Sequence, residues 1–229
     1  MIQEHARFLY EMVTSPLSQH PPPSPPIHYI TVPLLGLTTL LAVELLDTHP
    51  TCETISEVAS QSWTFTFGMG ATGLCSIFAW LTLANLLISV RPTILCAMGG
   101  LVGVISGVNL FLLSMVPLHP YVSLHTSFAL WFFATNCVAG LLLTTVAIWL
   151  RVSGYVYVCA VFSVTLSSSA VLLLFYLARY TDYLPEGLGK RWLDTTGCTY
   201  SYSELLASCS SLLYSTSYYP MYRALKGVK

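Results

Sequence analysis

The chain has 229 residues, of which 55% are hydrophobic and only 8% are charged. Soluble domains carry about 25% charged residues, so the composition excludes an ordinary soluble domain and predicts a multi-pass membrane protein. The net charge of −1 and the lack of a basic cluster argue against nucleic-acid binding.

The shortage of charge is concentrated in the middle of the chain. Between Glu57 and Asp182 there is no acidic residue, and the basic residues are Arg91, Arg151 and Arg179. Charge at mid-depth in a bilayer is costly, so this stretch suits a membrane. The first 27 residues are instead polar and proline-rich. They lack the apolar core of a signal peptide, and we expect a disordered cytosolic tail.

Six apolar windows have about the length of a membrane-spanning helix, which is about 20 residues. They predict helices near residues 28–46, 63–88, 93–116, 123–150, 155–179 and 200–219. Tight turns are predicted at Arg91-Pro92 and over the segment from Arg151 to Gly154. The predicted fold is therefore all-α, a single six-helix transmembrane bundle over residues 28–223, followed by a basic tail at residues 224–229.

The distribution of lysine and arginine orients this bundle, because basic residues are enriched on the cytosolic side of membrane proteins. With both termini in the cytosol, the cytosolic side carries six basic residues and the opposite, exofacial side carries three. The cytosolic set is Arg7, Arg91, Arg151, Arg223, Lys226 and Lys229, and the exofacial set is Arg179, Lys190 and Arg191.

Small and polar residues mark packing positions inside the helices. Gly99, Gly103 and Gly107 form a row on the third helix, which favours close packing against a neighbouring helix of the same chain, with dimerisation as the alternative. Asn109 and Asn136 are predicted to make interhelical hydrogen bonds. The serines of the last two helices can bond to carbonyls of their own helix or to a neighbouring helix.

The seven cysteines fall into two sets. Five lie inside predicted helices, where they pack as small apolar residues. Cys52 and Cys198 lie in the first and last exofacial loops, where an oxidising lumen would allow a disulfide bond. There is no CxxC motif, and zinc or redox chemistry is not indicated.

Two histidines lie near the junction of the third and fourth predicted helices. His119 sits beside Pro117 and Pro120, where exposure is the default expectation. His125 falls in the first turns of the fourth helix, and an interfacial polar role and a site role both stay open. Metal ligation by the two histidines is disfavoured, because no acidic or cysteine partner is near in sequence. No metal or other cofactor is predicted.

An exofacial polar site is the leading hypothesis for where function lies. Glu204, in the first turns of the sixth helix, is costly in a membrane unless it is paired or hydrated, although a helix N-terminus also favours a carboxylate. The sequence places it at the level of His125. The first exofacial loop adds Glu53, Ser56 and Glu57. Such a set could serve general acid–base chemistry or bind a lipid headgroup.

Three segments resemble the Frag/DRAM/Sfk superfamily of six-helix membrane proteins. His49–Ser60 is similar to a family segment that precedes the second helix, with Ile55-Ser56 as the match. Leu124–Arg151 resembles the family's fourth helix, which begins with a histidine, here His125. Ser203–Arg223 resembles the last helix, with its glutamate near the lumenal start, here Glu204. Thr126 and Phe128 replace the acid and glycine of the autophagy branch, which favours the branch that remodels the lipid of attached GPI anchors.

The resemblance implies a lipid-handling membrane protein of the Golgi or endoplasmic reticulum, with the lysosome or plasma membrane as other locations. Its expected partners are membrane lipids, including the GPI-anchor lipid, and other membrane proteins. Whether the chain is an enzyme is not decided by its residues. The alternative is a non-catalytic autophagy-type regulator or a structural subunit of a larger membrane complex. A small transporter ranks last, because polar residues at mid-depth are few.

Overall fold

The computed structural model describes residues 28–46, 55, 62–151, 154–180 and 199–219. Within these ranges all regular secondary structure is helical, which confirms the predicted class. The helices, in chain order, are α1 (His28–Leu46), α2 (Trp63–Val90), α3 (Ile94–Met115), α4 (Val122–Leu150), α5 (Tyr155–Tyr180) and α6 (Thr199–Ser217). The predicted helix boundaries are confirmed to within two residues at each end.

Short connections force the neighbouring helices α2 to α5 to run antiparallel. Arg91 ends α2 with extended backbone, and the side chain of Thr93 caps α3 by accepting from the Cys96 amide at 3.3 Å. At the end of α4, Arg151 adopts a left-handed conformation with φ of 49° and Gly154 follows at 96°. Both turns were predicted, and both use residues suited to stopping a helix.

The six helices form a closed ring in which each one packs against its neighbours in the chain and α1 packs against α6. Helix α4 also makes a smaller contact with α6, although α5 lies between them in the chain. The end of the ring where α2, α4 and α6 begin is called the His125 end here. The end where α2 and α4 finish is called the Arg91 end.

Four of the helices are long and apolar enough to cross a membrane, which supports an integral multi-pass protein. They are α2, α3, α4 and the Tyr155–Phe175 part of α5. Among the described residues, α1 contributes a shorter apolar stretch, Ile30–Ala42. The outward surface of the ring is lined by exposed leucine, isoleucine, valine and phenylalanine side chains, as a lipid-facing surface requires.

Exposed aromatic side chains lie at both ends of the ring, where amphipathic rings favour the membrane–water interface. Trp63, Tyr121 and Tyr202 lie near the starts of α2, α4 and α6. Trp149 and Tyr157 lie at the Arg91 end. There the Arg91 guanidinium stacks 3.5 Å from the centre of the Trp149 ring, which ties the α2–α3 turn to the end of α4.

The backbones of α2 and α3 approach closely, because both helices carry glycines at their contact. A Cβ atom at Gly73 would lie 2.7 Å from the Phe111 amide nitrogen and 3.0 Å from the Gly107 carbonyl. Gly103 and Gly107 face Trp80 and Ile77 of α2, whereas Gly99 faces Leu143 of α4. The predicted glycine row thus lies in contacts within one chain, and it serves two neighbouring helices.

Candidate functional site

His125 is buried at the His125 end, with 3% of its surface exposed. Its Nδ1 atom lies 2.6 Å from the carbonyl oxygen of Val116, the residue that ends α3. A carbonyl oxygen only accepts hydrogen bonds, so Nδ1 must carry the hydrogen. In the neutral ring Nε2 then carries a lone pair and can only accept a hydrogen bond. It has no hydrogen-bond partner among the described residues.

The contact with Val116 has a local cause in the chain. The last carbonyls of a helix have no partner within it, and α3 is followed by a short connection containing two prolines. His125 reaches back across this connection from the first turn of α4, where its own amide donates to the Tyr121 carbonyl at 2.9 Å. His119 is exposed in the same connection, as predicted.

Glu204 is buried on the inner face of α6, with 4% of its surface exposed. It is the one acidic residue whose side chain falls in the described part of the chain. Residues spaced by alternating steps of three and four share one face of a helix, and this face continues through Ala207, Ser211, Tyr214 and Tyr218, all buried. A carboxyl group therefore lies in an interior in which the other buried polar side chains of the described residues are hydroxyls, an amide and an imidazole.

The register between α4 and α6 places His125 and Glu204 at different depths. The two helices run in the same direction, and the Tyr214 hydroxyl lies 2.9 Å from the Gly140 carbonyl and 2.7 Å from the Thr144 hydroxyl. Ten residues earlier on α6, Glu204 is level with about residues 130–134 of α4. At 1.5 Å per residue it lies about 10 Å deeper than His125, and not at one level as the sequence suggested.

The two residues also do not form a direct pair. Nδ1 of His125 is hydrogen-bonded to the Val116 carbonyl, and Nε2 has no partner among the described residues. Neither ring nitrogen is therefore hydrogen-bonded to Glu204. Both side chains border one apolar cluster, in which Ala129 lies one turn after His125 and Ala207 one turn after Glu204. Ile55 from the first loop is buried in the same cluster.

The remaining sequence candidates lie outside the described residues. These are Glu53, Ser56, Glu57 and the two cysteines of the expected disulfide, Cys52 and Cys198. Within the described ranges, no group of three histidine, cysteine or acidic side chains could hold a metal ion. The five helical cysteines are free and at least half-buried.

The predictions for the two asparagines are wrong. The Asn109 amide donates to the Ile105 carbonyl of its own helix at 2.8 Å, because the side chain is only half-buried and its helix is the nearest acceptor. Asn136 is buried, but its Nδ2 has no partner among the described residues. The serine prediction is confirmed at Ser168, which bonds back to Val164 at 2.8 Å and across to Ser210 at 3.2 Å.

Sequence reasoning missed a second buried polar group, near the Arg91 end. The Tyr214 hydroxyl contacts Gly140, Thr144 and the Tyr218 hydroxyl, the last at 2.5 Å. The rings of Trp80 and Phe162 lie 5.7 Å from the Tyr214 ring, measured between centroids. The signal that could have found this group is the spacing of Glu204, Ser211, Tyr214 and Tyr218 along one face of α6.

Comparison with known proteins adds no assignment. No family model matches the chain, nor does any curated protein or solved structure.

Proposed function

We propose that the chain is a lipid-handling protein of the endomembrane system whose six helices all cross the membrane, with both termini in the cytosol. One observation supports this orientation. Arg91 and Arg151, the arginines with described side chains, both lie at the Arg91 end, and basic residues favour the cytosolic side. The His125 end then faces the lumen.

The observation that carries the functional proposal is the unpaired, buried Nε2 of His125. An imidazole held by Nδ1 and presenting Nε2 is oriented for contact with another molecule. The neutral ring offers a lone pair there, so its ligand must donate a hydrogen bond. Headgroup hydroxyls and ammonium groups donate, whereas a fully ionised phosphate does not. Buried Glu204, also an acceptor when ionised, favours the same class of ligand.

Together with the resemblance to the GPI-remodelling branch, this chemistry favours a lipid whose headgroup carries hydroxyl groups. Intramembrane ionisable residues are functional candidates by default. His125 would accept the hydrogen bond of a headgroup hydroxyl at the lumenal entrance. Glu204, about 10 Å deeper along the bundle, would act on a different part of the lipid or position the bundle around it.

The variant His125→Asn tests this proposal, because the asparagine amide can replace Nδ1 as the donor to Val116 while leaving nothing at the position of Nε2. We expect folding and expression to match the unaltered protein and lipid remodelling of GPI-anchored proteins to fall at least tenfold, which corresponds to the loss of a headgroup contact worth about 1.4 kcal/mol. The readout is the anchor lipid composition in cells whose own copy of the gene is deleted.

His119→Ala is the matched control, since it removes an exposed histidine from the same connection. It should leave the anchor lipids unchanged. If His125→Asn also leaves them unchanged while His125→Ala unfolds the protein, His125 serves only to close the end of α3. That result would favour the alternative, a non-catalytic regulator or structural subunit. The contact between His125 and Val116 is compatible with that alternative, because it only closes the end of α3.

A further inference from the structure

A layer of unpaired polar atoms crosses the middle of the bundle. It is separate from His125 and from the polar contacts around Tyr214. Asn136 of α4, Ser169 of α5 and Ser211 of α6 are all more than nine-tenths buried. Asn136 Nδ2, Ser169 Oγ and Ser211 Oγ each have no hydrogen-bond partner among the described residues. The Cys137 thiol lies within reach of the Ser169 hydroxyl, but a thiol is a weak partner.

Two contacts show that these residues share one level. Gly140 and Tyr214 touch at 2.9 Å, and Asn136 and Ser211 each lie one turn from that contact, both toward the His125 end. On α5, Ser168 bonds to Ser210 at 3.2 Å, which holds the adjacent Ser169 and Ser211 at the same depth. The layer is thus about one helical turn thick, about 5 Å along the bundle axis.

Apolar groups close the layer on both sides. Toward the Arg91 end lie the rings of Tyr214, Trp80 and Phe162. Toward the His125 end lies the apolar cluster that includes Phe133 and Leu172. These groups separate the layer from the two ends of the described bundle.

We propose that this layer is a binding site for water inside the bundle. In a membrane, a buried polar group that lacks a partner is strongly unfavourable, and three of them at one level on adjoining helices point to a shared occupant. All three groups are uncharged, which disfavours an ion. An asparagine amide and two hydroxyls supply the two to four hydrogen bonds that a buried water molecule makes.

The site has a consequence for α6. Its inner face would carry hydrogen-bonding groups at Glu204, at the hydrated layer around Ser211, and at Tyr214 and Tyr218. Water bound there would let Asn136, Ser169 and Ser211 stay polar without direct hydrogen bonds to one another, which explains why Asn136 finds no partner on a neighbouring helix.

The native cysteines allow a direct test on the full-length protein in lipid nanodiscs. Hydroxyl radicals produced by X-ray radiolysis of bound water oxidise nearby thiols, and mass spectrometry measures the rate at each cysteine. Cys137 adjoins the layer, whereas Cys75, equally half-buried at mid-helix, packs against the apolar cluster. We expect Cys137 to be oxidised several-fold faster than Cys75, and Asn136→Leu to remove the difference by filling the layer with an apolar group.

Equal rates at Cys137 and Cys75 in the unaltered protein would overturn the proposal, because the layer would then be dry. This comparison needs no substitution, so it stands even if Asn136→Leu does not fold. In that case Ser211→Ala, which removes one hydroxyl and little volume, is the second variant. A rate at Cys137 that does not fall in either variant would place the water elsewhere and would also contradict the proposal.

Discussion

Two groups of buried polar side chains in the bundle differ in how far their hydrogen-bonding capacity is met within the chain. Near the Arg91 end, Tyr214 uses its hydroxyl in three contacts, and Thr144 and Tyr218 are both partners in them. Toward the His125 end, the imidazole of His125 keeps Nε2 unpaired, and the mid-depth layer leaves three more atoms unpaired. Tyr214, His125 and the three residues of the layer are all buried, so burial alone does not separate the two groups.

This difference separates polar groups that hold the fold together from polar groups left available for binding. A buried group whose bonding capacity is met inside the chain has nothing to offer a ligand. One whose capacity is unmet either weakens the protein or meets a ligand or water. We therefore expect substitutions in the Tyr214 group to act on stability, and substitutions at His125 to act on function.

The largest effect on stability is expected from Tyr214→Ala. It empties the space between Trp80, Phe162 and Tyr218 and removes the contact between the Tyr214 and Thr144 hydroxyls. Truncating a large buried aromatic side chain costs about 3–5 kcal/mol of unfolding free energy. Denaturation of the purified protein by sodium dodecyl sulfate, followed by circular dichroism, measures this loss.

The control is Tyr202→Ala on the same helix, because Tyr202 is exposed, with 69% of its surface accessible. It should change the unfolding free energy by less than about 0.5 kcal/mol. Equal losses in the two variants would mean that the Tyr214 group does not hold the Arg91 half together, and the contrast between the halves would fail.

A smaller loss is expected from Gly73→Ala, at the α2–α3 contact shared by both halves. The added methyl group would meet backbone atoms, Phe111 N at 2.7 Å and Gly107 O at 3.0 Å. Backbone cannot rotate away, so the helices must separate, and overpacking of this kind costs about 1–3 kcal/mol. Thermal unfolding in detergent monitors the change.

Gly70→Ala, one turn earlier on α2, is the matched variant. Its methyl group would meet the ends of two side chains, Met115 Cε and Ser114 Oγ, both at 3.1 Å. These can shift, so the melting temperature should stay close to that of the unaltered protein. If both alanines are tolerated, the α2–α3 backbones are not in the close contact described above.

The fold was predictable because hydrophobicity in a membrane protein reports helix length directly. The window from Trp63 onward and the Arg91-Pro92 turn are readable without knowing any neighbour. The exposed position of His119 followed from its two prolines in the same way. Each of these features depends on local sequence alone.

The site was less predictable because it depends on register between helices that are distant in sequence. Glu204 and His125 lie near the starts of their helices, which suggested a common level, but the Tyr214–Gly140 contact sets Glu204 deeper. The lack of a hydrogen-bond partner at Asn136 could not be predicted from sequence, because its neighbours come from α5 and α6. The alternating spacing on α6 was a visible signal that points to its inner face, yet it does not reveal the partner helix.

The smallest effect should come from Thr144→Val, which removes one hydroxyl from the Tyr214 group and preserves side-chain shape. Thr144 is buried and lies 2.7 Å from the Tyr214 hydroxyl, whereas the adjacent Thr145 is exposed and bonds only to the Leu141 carbonyl of its own helix. We expect about 1 kcal/mol of lost stability, the usual net value of one buried hydrogen bond. Thr145→Val, with the same change of atoms, should be neutral in the denaturation assay.

A neutral Thr144→Val would show that Tyr214 satisfies its hydroxyl through Gly140 and Tyr218 alone. The group that stabilises the Arg91 half would then consist of those three residues.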